Sequence, residues 1–393
     1  MTHFPQFAAT LTLALGLASC GNAANVDTQP ASSPTVAAAA DFDGRFAIEE
    51  IASYEEPWAV TVIPGTEIVV VTEKAGGLKG YDAASGTPLS FTGAPQVDYG
   101  GQGGMGDVAF LPGEADAPLS GRTIYLSWVE AGKGDTRGAV VGRGTLSCAD
   151  RRSCAIEGLD VIWRQAPKVT GRGHYSHRIA FSPDQKHMFV ASGDRQKLDP
   201  AQDTSNNLGS IVRLDLDGTP ASGNPLAGQD GARADIWSWG HRNILGLAFD
   251  PQGRLWDMEH GPRGGDELNV VRKGANYGWP RVSDGMHYNG DPIPDNDTSD
   301  AYALPAITWT PVIAPGSMIF YRGDMFPGMQ GDALIAGLSS NAIIRVGIDG
   351  ESAYEVARYS MGERIRGVTE GPDGALWVIE DGEGGRLLKL TPG

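Results

Sequence analysis

One pattern of apolar and polar positions recurs along the chain. It runs from an apolar residue through Pro or Pro-Asp and a tight turn into a strand of alternating β-branched and aromatic residues. Each copy predicts a β-hairpin. The six copies are VIPGTEIVVVTE at 62, FLPGEADAPLSGRTIYLSWVE at 110, FSPDQKHMFVASGD at 181, FDPQGRLWDMEHG at 249, FPGMQGDALIAGL at 326 and EGPDGALWVIEDG at 370.

The spacing of the copies predicts how the hairpins assemble. Successive copies begin about 45 to 75 residues apart, the range expected for propeller blades of four strands with inserted loops. We therefore expect an all-β protein in which residues 42–393 form a six-bladed β-propeller, with its ligand at the central channel. A pair of β-sandwiches is the alternative, but sandwiches do not need the same hairpin six times.

The first residues of the chain lack this pattern. Residues 7–19 form an apolar run too short to span a bilayer, and Cys20 follows it directly. We expect residues 1–20 to be a lipoprotein-type signal peptide, cleaved before Cys20 with lipid on its thiol. A plain secretory signal is the weaker alternative, because the usual lysines before the apolar run are missing. Residues 21–41 read as a flexible linker. The protein is then expected in the periplasm, attached to the membrane only through this lipid.

Composition and charge narrow the possible partners. The 55 glycines and 25 prolines are scattered along the 393 residues, as expected for many short strands joined by tight turns. A net charge of -17 argues against nucleic-acid binding, which needs Lys and Arg to neutralise phosphates. An anionic ligand would therefore need a locally basic pocket.

Two cysteines remain once Cys20 is set aside. Cys148 and Cys154, in CADRRSC, are close enough to form a small disulfide loop in an oxidising compartment. A pair of buried free thiols is the alternative. A metal site is disfavoured because no His or further Cys lies within that spacing.

Several longer segments resemble one known family. Residues 237–280, WSWGHRNILGLAFDPQGRLWDMEHGPRGGDELNVVRKGANYGWP, are similar to the soluble quinoprotein glucose and aldose sugar dehydrogenases, which use pyrroloquinoline quinone (PQQ) with calcium. The segments PWAVTVIP, GQGGMGDVAFLPG, GRGHYSHRIAFSPD, APGSMIFYRG and ERIRGVTEGPDG match in the same order. The resemblance covers nearly the whole chain after residue 50. It implies oxidation of aldoses at the anomeric carbon to lactones, with an electron acceptor that the sequence does not identify.

Such a reaction needs a base for the hydroxyl proton and an electron acceptor that no side chain provides. In GRGHYSHR the resemblance implies that His174 is the base and that Asp194, in the GD ending the following strand, orients it. His177 is the competing candidate. The resemblance also places Arg242 next to the reactive carbonyl of the quinone, where its guanidinium can stabilise negative charge on the reduced cofactor.

The remaining ligand contacts also come from the resemblance. Arg364 and Arg366 alternate along a strand and so face the same way, which suits the carboxylates of PQQ, whereas a solvated strand face is the alternative. Asn243 is implied as a cofactor contact beside Arg242. Gln102 is implied as a contact to cofactor and substrate. Trp309 is implied as a residue that stacks on the sugar, and a plain core tryptophan is the alternative.

The segment HGPRGGDELN carries the expected calcium ligands. The resemblance places the backbone carbonyls of Gly261 and Pro262 on the calcium that contacts the quinone, and hard cations do accept such oxygens. Glu267 and the carbonyl of Tyr277 are implied as ligands of a second, structural calcium. In the alternative, Asp266 and Glu267 only cap a surface turn.

One departure from the family pattern affects the cofactor. In GLSSNAIIRV, Ser339 stands where family members usually have a lysine that helps to hold PQQ, and Arg322 or Lys273 is a candidate to replace it. A propeller that has lost its cofactor and binds a sugar or a protein is therefore the rival hypothesis. A calcium-dependent lactonase is weaker, because its site needs several side-chain oxygens around a central ion.

Overall fold

The computed structural model of the protein describes residues 44–393. The predicted signal peptide, Cys20 and the linker lie outside the described residues. Within the described part of the chain, no helix is both long and apolar enough to cross a membrane. Its helices are three short 3-10 segments at Pro112–Glu114, Asp199–Gln202 and Asn296–Thr298.

The rest of the ordered structure consists of β-strands. The strands up to residue 215 are β1 (Phe46–Tyr54), β2 (Pro57–Val62), β3 (Ile68–Glu73), β4 (Gly77–Asp82), β5 (Thr87–Thr92), β6 (Met105–Phe110), β7 (Thr123–Ala131), β8 (Arg137–Asp150), β9 (Ser153–Arg164), β10 (Ser176–Phe181), β11 (His187–Ser192) and β12 (Ser210–Asp215). They continue with β13 (Ile236–Trp239), β14 (Ile244–Phe249), β15 (Leu255–Glu259), β16 (Asp266–Val270), β17 (Ile307–Trp309), β18 (Pro315–Phe320), β19 (Ala333–Gly337), β20 (Ala342–Asp349), β21 (Ser352–Ser360), β22 (Ile365–Glu370), β23 (Leu376–Glu380) and β24 (Gly385–Pro392).

The strands form antiparallel meanders. Four sheets have four strands each, in the orders β10-β11-β12-β13, β14-β15-β16-β17, β18-β19-β20-β21 and β1-β24-β23-β22. An eight-stranded sheet contains β2 to β5 and β6 to β9, joined by parallel pairing between Ser90–Thr92 and Ser153–Ala155. The all-β prediction is confirmed.

Five of the six predicted repeats begin where the first strand of a meander ends, and each repeat contains the second strand of its meander. The structure also explains why these second strands are so apolar. Strands β19 and β23 are buried at every position and β3 at all but its last, so both faces of each strand pack against neighbouring sheets. Burying one such Val, Leu or Ile contributes about 1.5–3 kcal/mol.

The first strands of the meanders contact one another in a closed order. Contacts link β2 with β6, β6 with β10, β10 with β14, β14 with β18, β18 with β22, and β22 with β2. The chain therefore brings to one end of this ring the segments that precede each first strand and those that follow each second strand. That end holds the candidate site.

The disulfide prediction is also confirmed. Cys148 and Cys154 are bonded across the β8–β9 hairpin, with an S–S distance of 2.00 Å. The Cys154 side chain is buried within the apolar core of the eight-stranded sheet.

Candidate active site

A pocket of about 270 Å³ opens at the end of the ring where the first strands begin. Its walls come from segments far apart in sequence. The residues that the sequence predicted among them are Gln102, His177, Asn243, Arg364 and Arg366, and the others include Trp58, Lys74, Tyr175, Leu245, His260 and Leu338.

His174 lies beside this pocket in a buried pair with Asp194. Its Nδ1 is 2.7 Å from Asp194 Oδ1, and only 6% of His174 and none of Asp194 is exposed. The Asp194 carboxylate also accepts hydrogen bonds from the backbone N–H of Gln196 at 2.8 Å and from Trp279 Nε1 at 2.8 Å. A carboxylate oxygen accepts, so Nδ1 carries the proton and Nε2 keeps its lone pair.

The backbone of His174 has an unusual conformation, which a hydrogen bond to Gln102 holds in place. His174 has a φ of 49°, a left-handed value that side chains rarely adopt, and its N–H donates to Gln102 Oε1 at 2.7 Å. Burial lowers the pKa of His174 below its ordinary value, and the Asp194 carboxylate opposes that shift. His174 is therefore a neutral base near neutral pH.

His177 is placed differently. Its Nδ1 bonds the Ser127 hydroxyl at 2.9 Å, and its ring packs against Trp58 with centroids 4.9 Å apart. Burial lowers the pKa of His177 to about 3. Because neither of its ring nitrogens pairs with a carboxylate in the described part of the chain, its surroundings do not stabilise an imidazolium, and the geometry favours His174 as the base.

The two arginines of GERIRGV face the same way, as their spacing predicted. Arg364 Nε donates to Asp381 Oδ2 at 2.9 Å, and Arg366 Nη2 donates to Asp381 Oδ1 at 2.6 Å. Although burial opposes it, Arg366 and Arg364 hold the pKa of Asp381 below its usual range. The shared carboxylate fixes both guanidinium groups at the pocket and leaves the three residues with one net positive charge.

Arg242 lines a second, smaller cavity and is not in the wall of the pocket. Its backbone N–H donates to Glu259 Oε2 at 2.6 Å, and its Nη1 donates to the His260 carbonyl at 3.1 Å. The guanidinium lies 5.1 Å from the centre of the Trp279 ring. Its Nε–H is buried and lacks a hydrogen-bond partner within residues 44–393. A buried N–H group without an acceptor costs free energy, so the Arg242 Nε–H indicates that a ligand supplies an acceptor atom here.

The second cavity contains every residue predicted to bind calcium. Gly261, Pro262, Glu267 and Tyr277 line it, and its volume of about 10 Å³ is close to that of one water-sized sphere. Gly261 is required here, because a Cβ would lie 2.2 Å from the carbonyl oxygens of Gly264 and Gly265. The chain thus offers one cavity of atomic size with oxygen atoms in its wall.

The acids of this segment are buried, so the surface-turn alternative is wrong. Asp266 has no exposed surface and accepts hydrogen bonds from the backbone N–H groups of Gly261 at 2.9 Å and Ala314 at 2.7 Å. Burial raises the pKa of Glu267 to about 8, and the nearby Glu259 adds to the shift. Asn296 Nδ2 donates to Glu267 Oε1 at 2.8 Å, which fixes that carboxyl group at the cavity wall.

Trp309 lies elsewhere. Its ring packs in the apolar core between neighbouring sheets, and its Nε1 donates to Glu355 at 2.8 Å. The structure does not bring it to the pocket, so the predicted contact with sugar lacks support in this geometry.

Ser339, which occupies the position of the family lysine, and its two candidate replacements lie outside the pocket wall. Ser339 is not in the pocket wall, and its hydroxyl donates to the Val312 carbonyl at 3.0 Å. Arg322 donates to the Phe249 carbonyl at 3.1 Å, and Lys273 lies 6.0 Å from the Trp237 ring centre. Neither replaces the lysine.

Lys74 is a cationic donor that sequence reasoning missed, although its pair with Glu56 carries no net charge. It lines the pocket, and its Nζ bonds Glu56 at 2.7 Å. His260 was also missed. It lines both cavities, its Nε2 donates to the Pro315 carbonyl at 2.8 Å, and burial lowers its pKa to about 3. Lys74, Asp194, His260, Leu338 and Asp381 all lie within two residues of the end of a second strand, and this common position is the signal that identifies them.

Comparison with known proteins agrees with this geometry. The family model for glucose / sorbosone dehydrogenase matches residues 54–389. Aldose sugar dehydrogenase YliI of Escherichia coli is 36% identical over 343 residues, which cover 86% of this chain and 90% of YliI.

Solved structures show the same likeness. The apo form of the soluble aldose sugar dehydrogenase of Escherichia coli superposes with a TM-score of 0.82 at 35% identity, covering 89% of this chain and all of that one. The PQQ-bound aldose sugar dehydrogenase of Streptomyces coelicolor, at 24% identity and a TM-score of 0.71, shares the fold over 88% of this chain and 98% of its own. The chain therefore belongs to the glucose / sorbosone dehydrogenase family, whose relatives include aldose sugar dehydrogenases.

Proposed function

We propose that the protein oxidises aldoses at the anomeric carbon to lactones, with PQQ as electron acceptor and calcium as its partner ion. The observation that carries the proposal is the buried His174–Asp194 pair, 2.7 Å apart, beside a pocket with fixed arginines. Membership of a sugar dehydrogenase family supports the reaction class.

The pocket fits a flat anion that carries carboxylates. PQQ has three carboxylates, and Arg364, Arg366 and Lys74 supply cationic donors at the pocket wall. Arginine holds a carboxylate through two parallel N–H bonds, which lysine cannot do. The unpartnered Nε–H of Arg242 and the side chain of Asn243 would then face the oxygen atoms at the opposite end of the ligand.

The small cavity has the volume of about one water-sized sphere, so binding of two calcium ions by the residues that line it would require its walls to move apart. The backbone carbonyls of Gly261 and Pro262 would bind calcium next to the quinone, and Glu267 with the Tyr277 carbonyl would bind a second, structural calcium. The buried carboxyl of Glu267 supports this assignment, since a cation in that cavity would stabilise its ionised form.

The protein residues in this scheme bind, orient and move one proton. When bound, PQQ would accept the hydride of the anomeric C–H, and calcium would polarise its reactive carbonyl as a Lewis acid. His174 Nε2 would take the proton of the anomeric hydroxyl, while Asp194 holds Nδ1–H and stabilises the imidazolium that forms. Gln102 fixes the backbone of His174 and would also contact the sugar.

We also propose that the ring of strands is a six-bladed β-propeller. The closed order of contacts among the six first strands supports this count, with β2–β5 and β6–β9 as two blades joined at their outer strands. Export through residues 1–20, lipid on Cys20 and a periplasmic location remain proposals that rest on the sequence of the first 41 residues.

Reconstitution of purified apoprotein tests the function. Addition of PQQ and calcium should give one cofactor absorbance per chain, and an aldose should then bleach it and drive the reduction of an added dye. The rival, a propeller that binds a sugar or a protein without cofactor, predicts no binding at micromolar PQQ. Bound PQQ that no aldose reduces would also refute the proposal.

A further inference from the structure

Beneath the small cavity lies a cluster of buried side chains that the sugar chemistry does not use. One ligand atom each of His241, Asp257 and Glu259 lies within 4.8 Å of the other two. His241 and Asp257 have no exposed surface, and Glu259 has 3%. Glu259 also lines the small cavity, whereas His241 and Asp257 do not, and none of the three is among the residues expected to bind calcium.

Each of the three side chains is held by a hydrogen bond to a neighbouring group. His241 Nε2 bonds the Ser238 hydroxyl at 2.9 Å, and Glu259 Oε2 accepts the Arg242 backbone N–H at 2.6 Å. Asn269 Nδ2 donates to Asp257 Oδ1 at 3.2 Å and to Glu259 Oε1 at 3.3 Å. Outer hydrogen bonds of this kind orient metal ligands and fix the histidine tautomer.

The remaining atoms lie near one another. His241 Nδ1 is hydrogen-bonded to Glu259 Oε1 at 3.1 Å and lies 3.6 Å from Asp257 Oδ2. Donor atoms bound tetrahedrally to zinc, with bonds of about 2.0–2.2 Å, lie roughly 3.3–3.6 Å apart. The two observed distances are close to that range.

The Asp257 Oδ2 oxygen has no hydrogen-bond partner among the described residues, which indicates a ligand between these side chains. Asp257 Oδ2 is fully buried and has no hydrogen-bond partner within residues 44–393, although it faces His241. In the described part of the chain, neither Asp257 nor Glu259 forms an ion pair with Lys or Arg. Ionisation of both buried carboxyl groups beside one imidazole would leave negative charge without a full counter-charge, which a divalent cation supplies.

We propose that His241, Asp257 and Glu259 bind one structural zinc ion, distinct from the calcium ions expected next to them. One imidazole nitrogen with two carboxylate oxygens and short ligand distances favours zinc over calcium, which takes six to eight oxygens at longer range. A water molecule would take the fourth position of the tetrahedron.

Zinc titration of chelator-treated apoprotein tests the proposal without any quinone, so its outcome is independent of sugar oxidation. Millimolar calcium is kept present to fill the calcium sites. Wild-type protein should bind one zinc per chain, raise its melting temperature and, with cobalt in place of zinc, show the visible absorption of a four-coordinate ion. Asp257→Asn should weaken zinc binding by more than about 100-fold and abolish the rise in melting temperature.

Two variants serve as controls. Glu267→Gln should retain zinc, because it alters the neighbouring calcium site. Asp215→Asn should also retain it, because that change disrupts a surface pair in which His187 Nδ1 lies 3.0 Å from Asp215 Oδ1. If Asp257→Asn does not fold, His241→Asn gives the same test. Wild-type protein that binds no zinc at micromolar concentration, or equal binding by Asp257→Asn, would overturn the proposal.

Discussion

Replacement of Asp194 by Asn is the most informative single change at the proposed base. Both oxygens of Asp194 accept hydrogen bonds, from His174 and Gln196 at Oδ1 and from Trp279 at Oδ2. An Asn side chain has one oxygen, so its NH₂ group must face either Trp279 or His174. Facing Trp279, it opposes another donor and leaves the imidazolium without a negative partner. Facing His174, it forces the proton to Nε2 and removes the base.

Either arrangement slows the reaction. Loss of a positioned base with its carboxylate typically costs about two to four orders of magnitude in rate, which corresponds to roughly 3–5 kcal/mol of transition-state stabilisation. The pH profile should also move. Asp194 opposes the lowering of the His174 pKa by burial, so its removal lowers that pKa further. The acid limb of kcat/KM should therefore shift to lower pH while the plateau falls.

The assay is aldose-dependent dye reduction by PQQ-loaded protein across pH, with PQQ binding measured separately. Asp250→Asn is the matched control, because Asp250 is also buried and accepts an indole N–H, from Trp256 at 2.9 Å, but lies away from the pocket. It should reduce stability without slowing turnover. Asp194→Asn turnover within threefold of wild type, or an acid limb that moves to higher pH, would refute the assignment.

Three further predictions concern cofactor affinity and stability. Arg366→Lys, which keeps the charge but loses the paired N–H donors of the guanidinium, and Lys74→Met, which removes a cationic donor, should each weaken PQQ binding by at least about tenfold in an absorbance titration, because hydrogen bonds to charged groups contribute about 1.5–3 kcal/mol; unchanged affinity would exclude that residue as a contact. Cys148→Ser removes the disulfide between Cys148 and Cys154, which are six residues apart. It should lower the free energy of unfolding, measured by urea denaturation, by about 2 kcal/mol and leave turnover unchanged. His177 has a pKa of about 3 in the folded protein but about 6.5 in the unfolded chain, so it takes up a proton on unfolding between these two pH values. The free energy of unfolding should therefore fall by up to about 5 kcal/mol as the pH drops from about 6.5 to about 3, and His177→Asn should make this fall smaller.

The strands were predictable because the signal is local. A hairpin that joins the first and second strands of each meander leaves a turn and an apolar run in the sequence, and that signal located six second strands. The parallel pairing of β5 with β9 was not predictable. It joins segments about sixty residues apart, and neither strand carries a pattern that names its partner.

The site was predictable only in part. The alternation of Arg364 and Arg366 placed both on one face, and the structure brings both to Asp381. Lys74 and His260 were missed because their roles depend on which loops the ring brings together. Trp309 was misplaced for a related reason, since a tryptophan packed in the core and one exposed in a pocket have the same local sequence signal.

A single-turnover experiment tests directly whether bound PQQ and His174 together oxidise an aldose at C1. Apoprotein loaded with one equivalent of PQQ and with calcium is mixed, without oxygen or dye, with an aldose that carries hydrogen or deuterium at C1. We expect one lactone per bound PQQ, severalfold slower formation from the deuterated sugar, and no lactone from His174→Gln although PQQ remains bound. Stoichiometric PQQ binding with no lactone from wild-type protein, or full lactone formation by His174→Gln, would contradict this expectation.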